Sequence, residues 1–118
     1  MNSKNIVVIP AMSGLDDISY KEYCINSWDY WCKKNDVQLF VLDEPIVDVT
    51  EMKPTWQRWH VLDILDANEI EYNQVALVDI DTMIRWDAPN IFDQTNNLFS
   101  ACIDNDNIGW VKQSIDGY

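Results

Sequence analysis

Basic residues are scarce in this chain: eight lysines and arginines stand against twenty aspartates and glutamates, a formal charge of −12 over 118 residues. That balance repels phosphate backbones and anionic lipid surfaces, so nucleic acid is excluded as an expected partner. A polyphosphate ligand is admitted only where a divalent cation bridges carboxylates to phosphate oxygens. Histidine is represented by His60 alone. A lone histidine beside Trp59 in a helical stretch is more often a satisfied side chain than a ligand, and it is assigned no role. Cys24, Cys32 and Cys102 are an odd number in no metal-ligand spacing. With no signal peptide before them, they suggest a reduced, cytoplasmic setting rather than a disulfide framework. Long apolar runs are missing as well. The N-terminal run Ile6 to Met12 contains Pro10 and is far shorter than the ~20 residues of a membrane span. Three glycines, four prolines and no low-complexity tract or linker leave no sign of disorder or of a domain boundary.

Apolar and aromatic side chains are plentiful: 47% of the residues are hydrophobic, with six Trp, five Tyr and three Phe among them. A single domain spanning 1–118 is expected. Asn5 to Met12 is a β-branched apolar run ended by Ser13-Gly14 and reads as a buried first strand. From Ser19 to about Lys34, Tyr20, Tyr23, Cys24, Trp28 and Trp31 recur at helical spacing, with Lys33 and Lys34 in the last turn. Val37 to Leu42 reads as a second strand closed by Asp43-Glu44-Pro45. Pro54 suits a first helical turn, and Trp56, Trp59, Leu62 and Leu65 follow at helical intervals until Ala67-Asn68. Gln74 to Asp79 and Leu98 to Ile103 read as third and fourth strands. Strands alternating with helices predict an α/β fold, a three-layer sandwich around a mainly parallel sheet. Ligands gather at the carboxyl ends of such strands. The expected working edge therefore holds Ala11 and Met12, Asp43 and Glu44, Asp79 to Asp81, and Asp104 to Asp106.

Asp79-Ile80-Asp81 carries the most chemistry. Strand alternation sends both carboxylates to one side, where two hard oxygens suit Mn²⁺ or Mg²⁺, whose other positions are filled by water and substrate phosphates. The tripeptide alone is a weak signal, since Asp at a strand end is commonly a turn or cap residue. Its surroundings strengthen it. Val75-Ala-Leu-Val-Asp-Ile-Asp-Thr-Met-Ile84 resembles the hydrophobic-strand, Asp-X-Asp, Thr, hydrophobic signature of GT-A glycosyltransferases, the Rossmann-like nucleotide-diphospho-sugar transferases. Upstream, Lys53-Pro-Thr-Trp-Gln-Arg-Trp59 and Leu62-Asp-Ile-Leu65 look like the helix before that strand, where such enzymes present a basic residue to the donor. Downstream, Asp87-Ala-Pro-Asn-Ile-Phe92 looks like the turn and short helix that follow the metal motif.

This resemblance covers roughly residues 5 to 104 and corresponds to the donor-binding half of such an enzyme. It implies a metal-dependent glycosyltransferase that binds a nucleotide-diphosphate sugar, UDP- or GDP-linked, and passes the sugar to an acceptor that no quoted residue specifies. It also implies acceptor groups and a catalytic base beyond Tyr118, so no catalytic residue is named. Metal and donor fall to Asp79 and Asp81, with Asp81 the direct ligand and Asp79 on ribose or metal. Ile80 lies between them, and Pro10, Ala11 and Met12 face base and ribose largely through backbone groups. Arg58 and Lys53 are the cationic candidates, a guanidinium being suited to bidentate contact with phosphate. Each has a plain alternative on a solvated face or loop. Tyr20 and Trp56 could stack on a base, although their helical apolar positions favour packing. Asp104, Asn105 and Asp106 have an ordinary loop composition, and Cys24 and Cys32 read as small packing residues. The metal-binding histidine that many GT-A enzymes take from their C-terminal half has no counterpart here. Two other readings compete. One is a non-catalytic nucleotide-sugar-binding fragment or pseudoenzyme. The other is a haloacid-dehalogenase-type phosphatase, whose Asp-X-Asp usually sits on the first strand, whereas two strands precede this one.

Overall fold

Four consecutive β-branched residues, Ile6 to Ile9, favour extended backbone and present an apolar side chain to each face of a sheet. They form the centre of β1, Lys4–Pro10, and all four are fully buried. The computed structural model describes residues 4–11, 19–44, 46, 48, 50–52, 54–101, 112–113 and 115–117. After β1 come α1, Ser19–Lys34; β2, Gln38–Leu42; α2, Pro54–Gln57; a 3-10 turn, Arg58–His60; α3, Val61–Ala67; β3, Tyr72–Leu77; and α4, Phe92–Thr95. The three strands form a parallel sheet in the order β2-β1-β3. β1 is therefore buried on both faces, which explains its continuous rather than alternating apolar pattern.

Alternation along β1 separates two apolar clusters. Val7 and Ile9 pack with Cys24, Trp28, Trp31 and Cys32 of α1, and with Phe92. Ile6 and Val8 pack with Val61 and Leu65 of α3. Trp28 and Trp31 meet edge to face, with centroids 5.7 Å apart. A small α/β fold with helices against both sides of a parallel sheet is thus present, as the alternating pattern predicts.

Several boundaries and faces differ from expectation. β3 begins at Tyr72 and ends at Leu77, so Asp79 lies beyond the strand rather than within it. Between Lys4 and Ile6 the register against β3 shifts, and the Asn5 side-chain oxygen fills the irregularity by accepting from Gln74 N and Asn73 Nδ2, both at 3.1 Å. The helix expected from Pro54 onward is divided by the 3-10 turn, and its buried face differs in part: Leu65 is buried as expected, joined by Gln57 and Val61, while Trp56, Trp59 and Leu62 are 61%, 63% and 49% exposed. Tyr23 is likewise on the outer side of α1. Residues 98 to 101 are in no strand, and Leu98 and Phe99 are exposed. The cause lies just before them: Asn96 and Asn97 are both left-handed, which turns the chain out of α4. The rest of the expected fourth strand, with Cys102 and Asp104 to Asp106, lies outside the described residues.

Candidate functional site

The order β2-β1-β3 sends the chain from β1 to one neighbour and from β2 across to the other, so the sheet's direction of winding reverses between β1 and β3. In open parallel sheets the crevice at the carboxyl ends of such strands is where ligands bind. Pro10 ends β1 there, Ala11 follows it, and Asp79-Ile80-Asp81 follows β3. Asp79 to Asp81 therefore lie at the carboxyl edge of the sheet, beside the strand pair where the winding reverses.

Local bonding fixes the acidic segment from its backbone. Val78 N donates to Val8 O at 3.1 Å and carries the ladder one residue past β3. The chain then turns, Thr82 N donating to Asp79 O at 3.2 Å, and the Thr82 hydroxyl donates to the same carbonyl at 2.6 Å. The Cys24 thiol reaches that carbonyl as well, at 3.6 Å. Trp28 Nε1 donates to the Thr82 hydroxyl oxygen at 3.2 Å, and Ser27 Oγ accepts from Ile84 N at 3.3 Å. Further along, Trp31 Nε1 donates to Ala88 O at 3.0 Å, while Lys34 Nζ donates to Trp86 O at 3.1 Å and lies over its ring. Cys24, Ser27, Trp28, Trp31 and Lys34 share one helical face by their spacing. One face of α1 therefore both packs the core and braces the loop that carries the carboxylates.

Within that turn Ile80 packs against the cluster on the α1 side, whereas Asp79 and Asp81 are exposed. Arg58 from the 3-10 turn meets Asp79 directly, Nη1 to Oδ1 at 2.7 Å, with the guanidinium 28% and the carboxylate 53% exposed. Arg58 is placed by its neighbour: the buried Gln57 side chain accepts from Ile46 N at 2.8 Å and donates to Met52 O at 2.7 Å, tying the turn to the loop before it.

Of the other candidates, Ala11 is buried and its N–H is engaged by Leu42 O at 2.8 Å. Trp56 and Trp59 are exposed, so neither is core. His60 lies 3.6 Å from Asp63. Met12, Lys53 and the side chain of Tyr20 are outside the described residues. The sequence reading missed Gln57, Trp28 and Thr82 as positioning residues. Thr82 carried a signal, as part of the Asp-X-Asp-Thr string, whereas Gln57 reads as an ordinary polar residue.

Among the described residues no group of three or more His, Cys, Asp or Glu side chains is placed to hold a metal. Asp79 and Asp81, two exposed carboxylates on one turn, are too few for a closed protein cage. Burial raises the Cys24 thiol above its ordinary value of 9.0, and burial followed by the charge of Asp29 pushes Cys32 up to about 11. A shallow depression of about 610 Å³, lined by Asp66, Glu69, Ile70, Glu71 and Tyr72, lies at the opposite, amino end of β3. Comparison with protein-family models, with curated proteins and with solved structures finds no match to this chain.

Proposed function

We propose that the chain binds a nucleoside-diphosphate sugar, UDP- or GDP-linked, through Mn²⁺ or Mg²⁺ at Asp79 and Asp81, as the donor site of a metal-dependent glycosyltransferase with the three-layer GT-A architecture. One observation carries this reading. An Asp-X-Asp turn lies at the carboxyl edge of a parallel sheet where the winding reverses, with both carboxylates outward and an arginine in contact with one of them.

The chain's own residues divide the work. Asp79 and Asp81 supply hard oxygen ligands, and Ile80 anchors the turn between them. Arg58 supplies a planar cation for diphosphate oxygens. Thr82, Trp28 and Cys24 hold the Asp79 backbone in place, so that the turn carrying the carboxylates is set before a ligand arrives. The divalent ion, when bound, offsets charge on the departing diphosphate as a Lewis acid. A phosphatase of the haloacid-dehalogenase type fits less well, because the first strand of this sheet ends in Pro10-Ala11 and offers no carboxylate nucleophile.

Calorimetric titration of UDP, GDP and their sugar conjugates, with and without Mn²⁺, tests the proposal. Binding is expected only with the metal and is expected to be lost in both Asp79→Ala and Asp81→Ala. Metal-independent binding, or binding that both substitutions leave untouched, would refute it. Release of sugar from the conjugate, followed by chromatography, separates a turning-over transferase from a binding module.

A further inference from the structure

The contact between Arg58 and Asp79 joins the two groups that the proposed donor site needs for opposite purposes. Asp79 is to take a cation, and Arg58 is to take an anion, yet each now occupies the other at 2.7 Å. We propose, resting on the donor-site reading, that this ion pair is an exchangeable latch that couples cation binding to diphosphate binding. Neither ligand then binds well until the other is present.

Three features support it. First, the pair is partly open to water, with side chains 28% and 53% exposed. Pairs of this kind contribute on the order of 0–1 kcal/mol, too little to fix the fold and little enough to exchange with ligands. Second, the backbone on either side of Arg58 is anchored, by buried Gln57 before it and buried Val61 after the 3-10 turn. The exchange therefore moves the Arg58 side chain while the backbone that carries it stays anchored. Third, Asp79 is held through its carbonyl rather than its carboxylate, by Thr82 and Cys24, so loss of Arg58 from Oδ1 leaves the turn in place.

The sign of the coupling follows from charge. While Arg58 stays on Asp79, a divalent cation meets a carboxylate oxygen already engaged and a positive charge beside it, so affinity for the cation alone is low. A diphosphate offers Arg58 two oxygens in the bidentate geometry a guanidinium prefers, and moves it off Asp79. The freed carboxylate then takes the cation. By linkage, the cation favours the diphosphate by the same factor.

An arginine that merely binds phosphate, or merely supports the fold, predicts that its loss leaves cation affinity unchanged or weaker. The latch predicts the reverse. The test is Mn²⁺ binding followed by the electron paramagnetic resonance signal of free Mn²⁺, with and without UDP or GDP, after subtraction of the nucleotide's own Mn²⁺ affinity. For Arg58→Gln, Mn²⁺ alone is expected to bind more tightly than to the original chain, on the order of tenfold, within the 5–150-fold usual for coupled sites. The enhancement by nucleotide is expected to shrink by a similar factor. Should Arg58→Gln fail to give a folded circular dichroism spectrum, Arg58→Met, which also removes the charge, takes its place with the same expected gain for Mn²⁺ alone, and Arg58→Lys is the charge-retaining control. It keeps the charge without the fork, so affinity for Mn²⁺ alone stays near the original while the nucleotide enhancement falls. Nucleotide-dependent Mn²⁺ binding with no gain for Mn²⁺ alone in Arg58→Gln, or with full enhancement in Arg58→Lys, overturns the latch and leaves the donor site standing. No Mn²⁺ binding with nucleotide in any form overturns both.

Discussion

Thr82 shows how much one small side chain can do at a strand end. Its hydroxyl donates to Asp79 O and accepts from Trp28 Nε1, linking α1 to the acidic turn. Thr82→Val keeps the shape and removes both bonds, leaving the indole N–H of a buried tryptophan without this partner. The expected cost is about 1–3 kcal/mol, read from urea unfolding, with a change in Trp28 emission that a distant substitution does not give. The buried thiols make a second test at this scale. An unfolded cysteine loses its proton near its ordinary value of 9.0, while folded Cys32 keeps its proton until about 11, chiefly through burial and then through Asp29. Across that window the unfolded state binds fewer protons, so the Cys32 contribution to stability is complete below pH 9 and is lost as pH rises toward 11. The urea midpoint of Cys32→Ala is therefore expected to fall less steeply than that of the original chain over the same range. Equal slopes would contradict the assignment.

The elements were legible in the sequence to different degrees, for physical reasons. α1 has both boundaries where the periodicity places them, because Cys24, Trp28 and Trp31 form a strong apolar stripe and two lysines occupy the last turn. β1 and β2 are each a residue or two from expectation, as strand ends are set by pairing partners that sequence does not show. The stretch from Pro54 to Ala67 was misread in part of its facing. Leu65 faces inward as its spacing indicates, but Trp56 and Trp59 do not; Gln57 and Val61 take the inward positions, the polar side chain buried because its amide is bonded to both sides of a loop. Helix ends carry their own prediction. After α3, Ile70 N bonds Leu65 O at 2.9 Å and Glu69 N bonds Asp66 O at 3.1 Å, with Glu69 left-handed at φ 56°. This is a cap that favours glycine, since a side chain in that region costs about 1–2 kcal/mol. Glu69→Gly is expected to raise stability by about 0.5–1 kcal/mol in thermal or urea unfolding. A loss of stability would show that the Glu69 side chain has another role.

At the scale of the whole molecule, net charge limits the class of ligand and topology marks one edge of the sheet. A chain of net charge −12 has few ways to hold a diphosphate without a cation, and its parallel sheet reverses winding where Asp79 and Asp81 emerge. The acidic pair was visible in the sequence as a motif, and so was Arg58 as a candidate cation, but their contact was not. It depends on the 3-10 turn bringing residue 58 to the end of β3, a long-range packing result that no local pattern encodes. The brace from α1 was hidden for the same reason: its residues look like core, and two of them also bond the loop through indole N–H groups. Trp31→Ala, which removes the largest fully buried side chain among the described residues and the bond to Ala88 O, is expected to cost about 3–5 kcal/mol and to loosen core and site together. The most direct measurement of the central claim is the ratio of nucleoside-diphosphate affinity with Mn²⁺ to that without it, in the original chain and in Asp81→Asn. Carboxylate-held metal at this edge predicts a large ratio in the original chain that collapses toward one in Asp81→Asn. A ratio near one in the original chain, or one unchanged by the substitution, contradicts it.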